Sequence, residues 1–559
     1  MSNAILTPVT LWKDFDETLP LEDEVLSERE EDGICLREVA FSGRRTAEGR
    51  VRIYAQYSFP AGKGEFPAVL MLFETGLPFD ATFVKKFVAL GYGVLCVDYC
   101  GENGTEKHTV YPKDVDYANY VRAGRAMEYA EPSAKETSWY EWAGVARYAA
   151  RYLRERKEVT RYGAIGLRTG GEVLFKITPY AQLSCFVSVC AAGWLAYRGI
   201  DKFAEGEKKV FDEERHRFIA GIDSQSYAPH AQCPVLLISA VNDKKYNYDR
   251  VYDTFNQINP AVGKAILFSA HGNGLVGTHS FENVCLFLDK YLKERSVYVS
   301  APVNFSVFED EAGNLAVDLS FDPMGELVEY GYFFTEKTAA YKARDWTRVM
   351  GRAEDLHENR AVMPLDVYAG TEKVLLYSFA RYSNGFSVTS KIQEATIAKE
   401  YRNSLPASRV IYSCADGING FFEPRRVAQT VADCFAQGSG NVRLAAGYGG
   451  IMGITARSGI VSYRVSEPRY KAPEGASFAF DAYCGEDAQI TVTFYADEEE
   501  ETGYSCRVRV AGGGKWKNFV LDPVDFKSPQ GASLPGFRGT VSVMFLLENG
   551  ALVNNVIWL

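Results

Sequence analysis

Between residues 31 and 296, apolar runs alternate with amphipathic stretches, the order in which a parallel sheet and its covering helices are laid down. The predicted strands are 51–59, 68–73, 93–98, 163–167, 186–190, 235–240 and 265–269. Several are unbroken apolar runs, as strands buried on both faces require. The clearest predicted helix is 138–156, where Trp139, Trp142, Val145, Ala146, Ala149 and Leu153 recur at helical spacing. Its opening, Ser138 to Glu141, fits a capping box in which the serine accepts a backbone N–H and the glutamate reaches back. A further helix over 280–294 closes the region. From Val297 the pattern switches to short period-two runs such as NLAVDLSF, EYGYFFT, KVLLYSFAR and FSVTSKI. These predict a small antiparallel, immunoglobulin-like sandwich over 297–395. Residues 393–408 read as a linker, and 409–559 as a second β-rich unit with strands at 459–465, 476–483, 489–495, 505–510 and 541–547 and a closing run at 553–559. The expected division is therefore an N-terminal segment 1–30, an α/β domain 31–296, a sandwich 297–395, a linker with the start of a β unit 396–446, and a final β module 447–559.

Composition narrows the function classes. A length of 559 residues is room for several cores, so no disulfide or metal staple is needed for folding. Sixty-one Lys and Arg against 72 Asp and Glu leave a net charge of −11, which argues against nucleic acid or an anionic membrane surface as partner. The longest uncharged span, 177–197, is interrupted by Pro179, Gln182, Ser184 and Ser188, so no membrane span is expected. The start of the chain has an acidic run over 21–32 where a secretory signal would be basic and then apolar. Eleven cysteines, an odd number without zinc spacing, sit in apolar runs, as at Cys96, Cys100 and Cys190. Buried thiols and a cytoplasmic location are the expectation.

Four pieces give region 31–296 a resemblance to the α/β-hydrolase superfamily, in its acetyl xylan esterase and dienelactone hydrolase-like branch. FPAVLMLFETG (66–76) resembles the strand and loop of the oxyanion hole, and GYGVLCVDYCGENG (91–104) the next strand and turn. YGAIGLRTGGEVLF (162–175) stands where the nucleophile elbow belongs, and PVLLISAVNDKKY (234–246) resembles the strand that delivers the acid. The resemblance implies an esterase-like fold, with oxyanion donors among Glu74, Thr75, Gly76 and Thr169.

The elbow departs from the family. Its motif, Gly-x-Ser-x-Gly, seats a nucleophile on a strained turn. Here it reads Gly166-Leu167-Arg168-Thr169-Gly170-Gly171, and a guanidinium stays protonated and cannot attack an acyl carbon. Asp243 matches the acid position. The histidine is expected after strand 265–269, where both His271 and His279 are candidates and neither is in register. Arg168 has two readings: a ligand for a carboxylate or small acidic sugar at a helix N-terminus, or an internal salt bridge to Asp243, Asp98 or another carboxylate. Cys100 and Cys190 fit buried structural thiols better than replacement nucleophiles.

Residues 447–559 resemble a jelly-roll carbohydrate-binding module, on GGIMGITARSGIVSYRV (449–465), FAFDAYCGEDAQITVTFY (478–495), KWKNFVLDPVDFKSPQGASL (515–534) and VNNVIWL (553–559). Tyr483, Tyr495, Tyr504 and Trp516 are the candidates for stacking on sugar faces. The resemblance also raises a structural calcium near the module's termini, for which Asn554 and Asn555 are weak neutral donors, so no metal or other cofactor is assigned. Three functions stay open: a catalytically inactive, carbohydrate-binding relative of acetyl ester hydrolases; an active hydrolase in which Asp243 and His271 or His279 activate water; and a structural or dimerisation scaffold.

Overall fold

The computed structural model describes every residue except 1–4, 63, 199, 201, 204–209, 244, 270–277, 339, 425–434, 436–441 and 458. The first sheet contains β1 (Glu24–Glu31), β2 (Ile34–Arg45), β3 (Arg50–Pro60), β4 (Phe66–Leu72), β5 (Gly93–Val97), β6 (Val159–Leu167), β7 (Phe186–Val189), β8 (Val235–Ala240) and β9 (Lys264–Ser269). They lie in the order β1-β2-β3-β5-β4-β6-β7-β8-β9. The N-terminal strands pair antiparallel as far as β5, and from β5 to β9 every neighbour is parallel. Every residue of β5 and β8 is buried, which is why both read as apolar runs, β8 broken only by Ser239. Alternate residues of β4 serve two cores. Leu70 and Leu72 pack with helices Ser138–Arg154 and Thr169–Ile177, whereas Val69 and Met71 pack with helices Ala81–Ala89 and Thr278–Leu292.

All the predicted strands of this region are present, but two were not predicted: β2, inside the region, and β1, which begins ahead of residue 31. β1 is an edge strand whose side chains are all exposed, so it carried no buried period-two pattern to read. The predicted capping box at Ser138 is also corrected. Thr137 is the N-cap, its hydroxyl accepting from the Tyr140 amide at 3.2 Å, while Glu141 is turned to Arg44, whose Nε donates at 2.7 Å. A buried carboxylate with a guanidinium in reach gains more from that charge-assisted pair than from a neutral amide.

The rest of the chain is antiparallel β structure. In the middle unit, Asn304–Glu309, Leu315–Ser320 and Arg360–Pro364 form one sheet, and Leu327–Thr335, Thr347–Met350 and Lys373–Tyr382 a second. The predicted linker is not free. Gln393–Thr396 pairs with Lys373–Tyr382, and the Leu405 amide donates to Val367 O at 2.7 Å. Val410–Tyr412 pairs with the last strand, Leu552–Trp558, so the C-terminal unit includes residues from 410 onward, ahead of the module expected at 447–559 and within the β-rich stretch read over 409–559. It holds two sheets around a core of Phe478, Phe480, Phe494, Phe545 and Trp558. Among the described residues no helix is long and apolar enough to cross a membrane.

The middle unit grips the loop that follows β8. Arg344, fully buried, donates to both oxygens of Asp249 at 2.9 and 3.0 Å and to the Tyr248 hydroxyl at 2.7 Å. Asn242 donates back to the Arg344 carbonyl at 2.9 Å. Asp243 lies inside this clamped segment.

Candidate functional site

β6 runs straight into helix Thr169–Ile177, and Arg168 is the single residue of the turn between them. Its φ of 52° and ψ of −114° place a non-glycine side chain in a conformation normally left to glycine. The flanking glycines are required by close approach: a Cβ on Gly166 would lie 2.5 Å from the Gly170 carbonyl oxygen, and one on Gly170 2.2 Å from that of Leu72. The result is a tight strand–turn–helix with a guanidinium at its apex.

That guanidinium is held on two sides. Arg168 Nε donates to Glu74 Oε2 at 3.0 Å, and Nη1 to Asp243 Oδ2 at 3.3 Å. Lys245 adds a second cation, its Nζ 3.1 Å from both Glu74 Oε1 and the Thr169 hydroxyl. The Thr169 hydroxyl donates to Glu74 Oε1 at 2.6 Å. Two cations and two carboxylates therefore neutralise one another. Burial pushes the Glu74 carboxyl up, but Lys245, Arg168 and the Thr169 hydroxyl outweigh it and hold the group at about 2. Asp243 has no exposed side-chain surface; its Oδ1 accepts from the Lys245 and Tyr246 amides at 2.8 and 2.9 Å.

The expected oxyanion donors face this built-in carboxylate. The Thr169 amide approaches Glu74 Oε2 at 3.5 Å and the Thr75 amide donates to Glu74 Oε1 at 3.3 Å, while the Gly76 amide is directed at the Cys100 sulfur. Of the two readings of Arg168, the structure forms the salt bridge, to Glu74 and Asp243. Asp98 is engaged elsewhere, accepting from the Thr109 and Cys100 amides at 2.7 and 3.1 Å. His271 lies outside the described residues. His279 is exposed on helix Thr278–Leu292, its ring 3.8 Å from Glu282 on the same helix, and Asp243 spends its hydrogen bonds on Arg168 and the two amides. Cys100 and Cys190 are buried, and burial with Asp98 nearby raises the Cys100 thiol. Lys245 and the Glu74 side chain went unread in the sequence. A Lys in a DKKY run and a Glu in a loop strand end carry no spacing signal, since their meeting depends on the carboxyl ends of β4, β6 and β8 lying along one edge of the sheet.

In the C-terminal unit two of the four aromatic candidates come together. Tyr483 and Trp516 lie with ring centroids 5.6 Å apart, both half-buried. Their floor is Gly447 and Gly453, where a Cβ would sit 2.8 and 2.7 Å from the indole. Beside the rings, Asp481 accepts from Asn518 Nδ2 at 2.9 Å and from Asn555 Nδ2 at 2.7 Å. Tyr495 and Tyr504 belong to the opposite sheet, and Tyr504 packs against the core. Asn554 is fully committed to protein partners, accepting from the Cys414 and Asn555 amides and donating to the Met452 carbonyl, so it does not fit a calcium ligand. Among the described residues no group of three His, Cys, Asp or Glu side chains is placed to hold a metal ion.

No family model matches the chain, and no curated protein matches it. Among solved structures it is similar to an acetyl xylan esterase from Paenibacillus sp. R4, at 16% identity and a TM-score of 0.40, over 49% of this chain and 90% of that one. It is also similar to acetyl xylan esterase 1 from Thermoanaerobacterium sp. JW/SL YS485, at 18% identity and a TM-score of 0.39, over 51% and 92%. The acylaminoacyl peptidase of Pyrococcus horikoshii matches at 15% identity and a TM-score of 0.34, over 49% and 50%.

Proposed function

We propose that this chain is an esterase-like α/β-hydrolase protein that has given up acyl transfer and works by binding carbohydrate. The observation that carries the reading is the Glu74 carboxylate on the Thr169 amide, locked there by Arg168. Acyl transfer places a developing oxyanion against the amide that follows the nucleophile. Here that amide already faces a negative charge, and the nucleophile position holds a group that cannot attack. Thr169 offers no replacement, because its hydroxyl is fully buried under the network.

Binding is assigned to the Trp516–Tyr483 face. Aromatic faces cover the apolar faces of a pyranose ring, and the carboxamides of Asn518 and Asn555 with Asp481 supply donors and acceptors for its hydroxyls. The acidic-sugar alternative at Arg168 is disfavoured, because the guanidinium already has its two carboxylates.

The test pairs turnover with binding. Wild type is expected to leave 4-nitrophenyl acetate and acetylated xylo-oligosaccharides unchanged, and to bind xylo-oligosaccharides in a titration that Trp516→Ala abolishes. Turnover by the wild type that Asp243→Ala removes would overturn the inactive reading. Binding that survives Trp516→Ala would overturn the assigned face. Absence of any glycan binding would leave the scaffold reading, which the filled elbow also fits.

A further inference from the structure

The antiparallel strands of the first sheet extend past helix Ala81–Ala89, and a cavity of about 380 Å³ lies between them and the helix. It shares no lining residue with the elbow or the Trp516 face. Register builds its floor. Ser27, Glu38, Gln56 and Cys96 stand side by side across β1, β2, β3 and β5, and Arg29, Leu36 and Ser58 form the next row on the same face. Ile34 and Leu36 on β2, with Phe79 and Val84 at the helix, give it apolar walls. Free charge is confined to the mouth, where Arg29, Glu31 and Lys85 are exposed. Glu38 is spent: its carboxylate accepts from the Tyr54 hydroxyl at 2.8 Å and from the Ser27 hydroxyl and the Lys107 ammonium at 2.6 Å each. Burial raises the Cys96 thiol, which stays neutral.

Two polar groups of the floor are left over. Ser58 is only 6% exposed, yet its hydroxyl has no hydrogen-bond partner among the described residues and keeps open surface in the cavity it lines. Gln56, two residues earlier on the same strand, spends Nε2 on the Tyr54 hydroxyl at 3.2 Å and leaves Oε1 open in the same way. Polar groups at that depth are paired in native proteins. An amide oxygen only accepts, whereas a serine hydroxyl donates or accepts, so together they ask for a group that donates to Gln56 while accepting from Ser58. A hydroxyl does both. A carboxylate has no proton for Gln56, and an ammonium would enter a floor whose one carboxylate is already taken. The apolar walls require that hydroxyl to sit on an apolar body, and Phe79, tilted against Phe73 at 5.7 Å, extends an aromatic edge toward it. The volume is at the lower end of the about 300–1,000 Å³ of ligand pockets, which suits a single substituted ring.

We propose that this cavity binds a neutral phenol of single-ring size, with its ring between Leu36 and Phe79 and its hydroxyl bridging Ser58 and Gln56. The site is independent of the carbohydrate face. Full-length protein is titrated calorimetrically with 4-methylphenol and with 4-methylanisole, which keeps the ring and the oxygen but has no proton to donate. The expected result is saturable binding of the phenol, at least about tenfold weaker binding of its methyl ether, and a loss of about tenfold in phenol affinity in Ser58→Ala and in Gln56→Leu. Ala81→Phe fills the cavity from an exposed position on the helix without touching a polar group. It is expected to abolish binding while circular dichroism stays native, and it carries the test if a floor variant does not fold. Trp516→Ala is expected to bind the phenol as wild type does. Equal affinity for phenol and ether, affinity unchanged in both floor variants, or binding that survives Ala81→Phe would overturn the proposal. So would the absence of saturable binding, which would leave the cavity to water.

Discussion

Arg168 and Glu74 meet at 3.0 Å across the carboxyl ends of two neighbouring parallel strands, β6 and β4. In open α/β sheets that edge is where ligands sit, because loops diverge there and helix N-termini point outward. The pair places the protein's own carboxylate and guanidinium in the ligand's position. Asp243 and Lys245, from the end of the next-but-one strand, complete a neutral group of four.

The strain at Arg168 separates cleanly from its charge. Both Arg168→Ala and Arg168→Gly remove the guanidinium, but only glycine relaxes at a φ of 52°. Urea unfolding is expected to show the glycine variant more stable than the alanine variant by about 1 kcal/mol. Equal stabilities would mean that the turn is not strained.

Arg168→Ser alone is expected to stay inactive toward 4-nitrophenyl acetate. Lys245 still holds Glu74 beside the Thr169 amide, and the oxyanion position remains negative. Turnover in a stopped assay of this single variant would show that Glu74 leaves with its partner.

Acid is expected to weaken the cluster in a defined window. The Glu74 carboxyl is held at about 2, against 4.5 unperturbed, so its contribution is fully present above about 4.5 and is lost as pH falls through about 2. Such a depression corresponds to on the order of 3 kcal/mol at most. The stability gap between wild type and Glu74→Gln, measured by urea unfolding at a series of pH values, should shrink steadily over that range. A gap that does not change with pH would remove the ion pair as its source.

Arg344 and Asp249 form a fully buried pair between the first and middle units. Arg344→Met leaves Asp249 buried without its cation and is expected to cost about 3–5 kcal/mol, whereas Arg344→Met with Asp249→Leu recovers most of that loss. Thermal unfolding of the single and double variants distinguishes a pair from two independent residues.

Gly453→Val is expected to abolish oligosaccharide binding at the Trp516 face while the fold persists. A side chain there would stand 2.7 Å from the indole and must displace it. Retained affinity would detach the ring pair from sugar recognition.

Sequence pattern alone determined the run of parallel strands, because β5 is apolar throughout, β8 is apolar but for Ser239, and only a sheet covered on both faces buries such runs. It also determined that Arg168 stands between closely spaced glycines, since Gly166, Arg168, Gly170 and Gly171 lie within six residues of the chain. What tertiary structure decided is everything that joins distant segments. β1 was hidden because an exposed edge strand has no buried face to pattern it. The fate of Arg168 was hidden because its partners lie 94 and 75 residues away, and only the carboxyl ends of β4, β6 and β8, gathered along one edge of the sheet with β7 between the last two, bring them within hydrogen-bond reach. Likewise Trp516 and Tyr483 are indistinguishable from Tyr495 and Tyr504 by composition. Pairing Phe478–Tyr483 with Lys517–Leu521 puts the first two on one outer face, and the physical reason is register: strand partners, not sequence neighbours, share a surface.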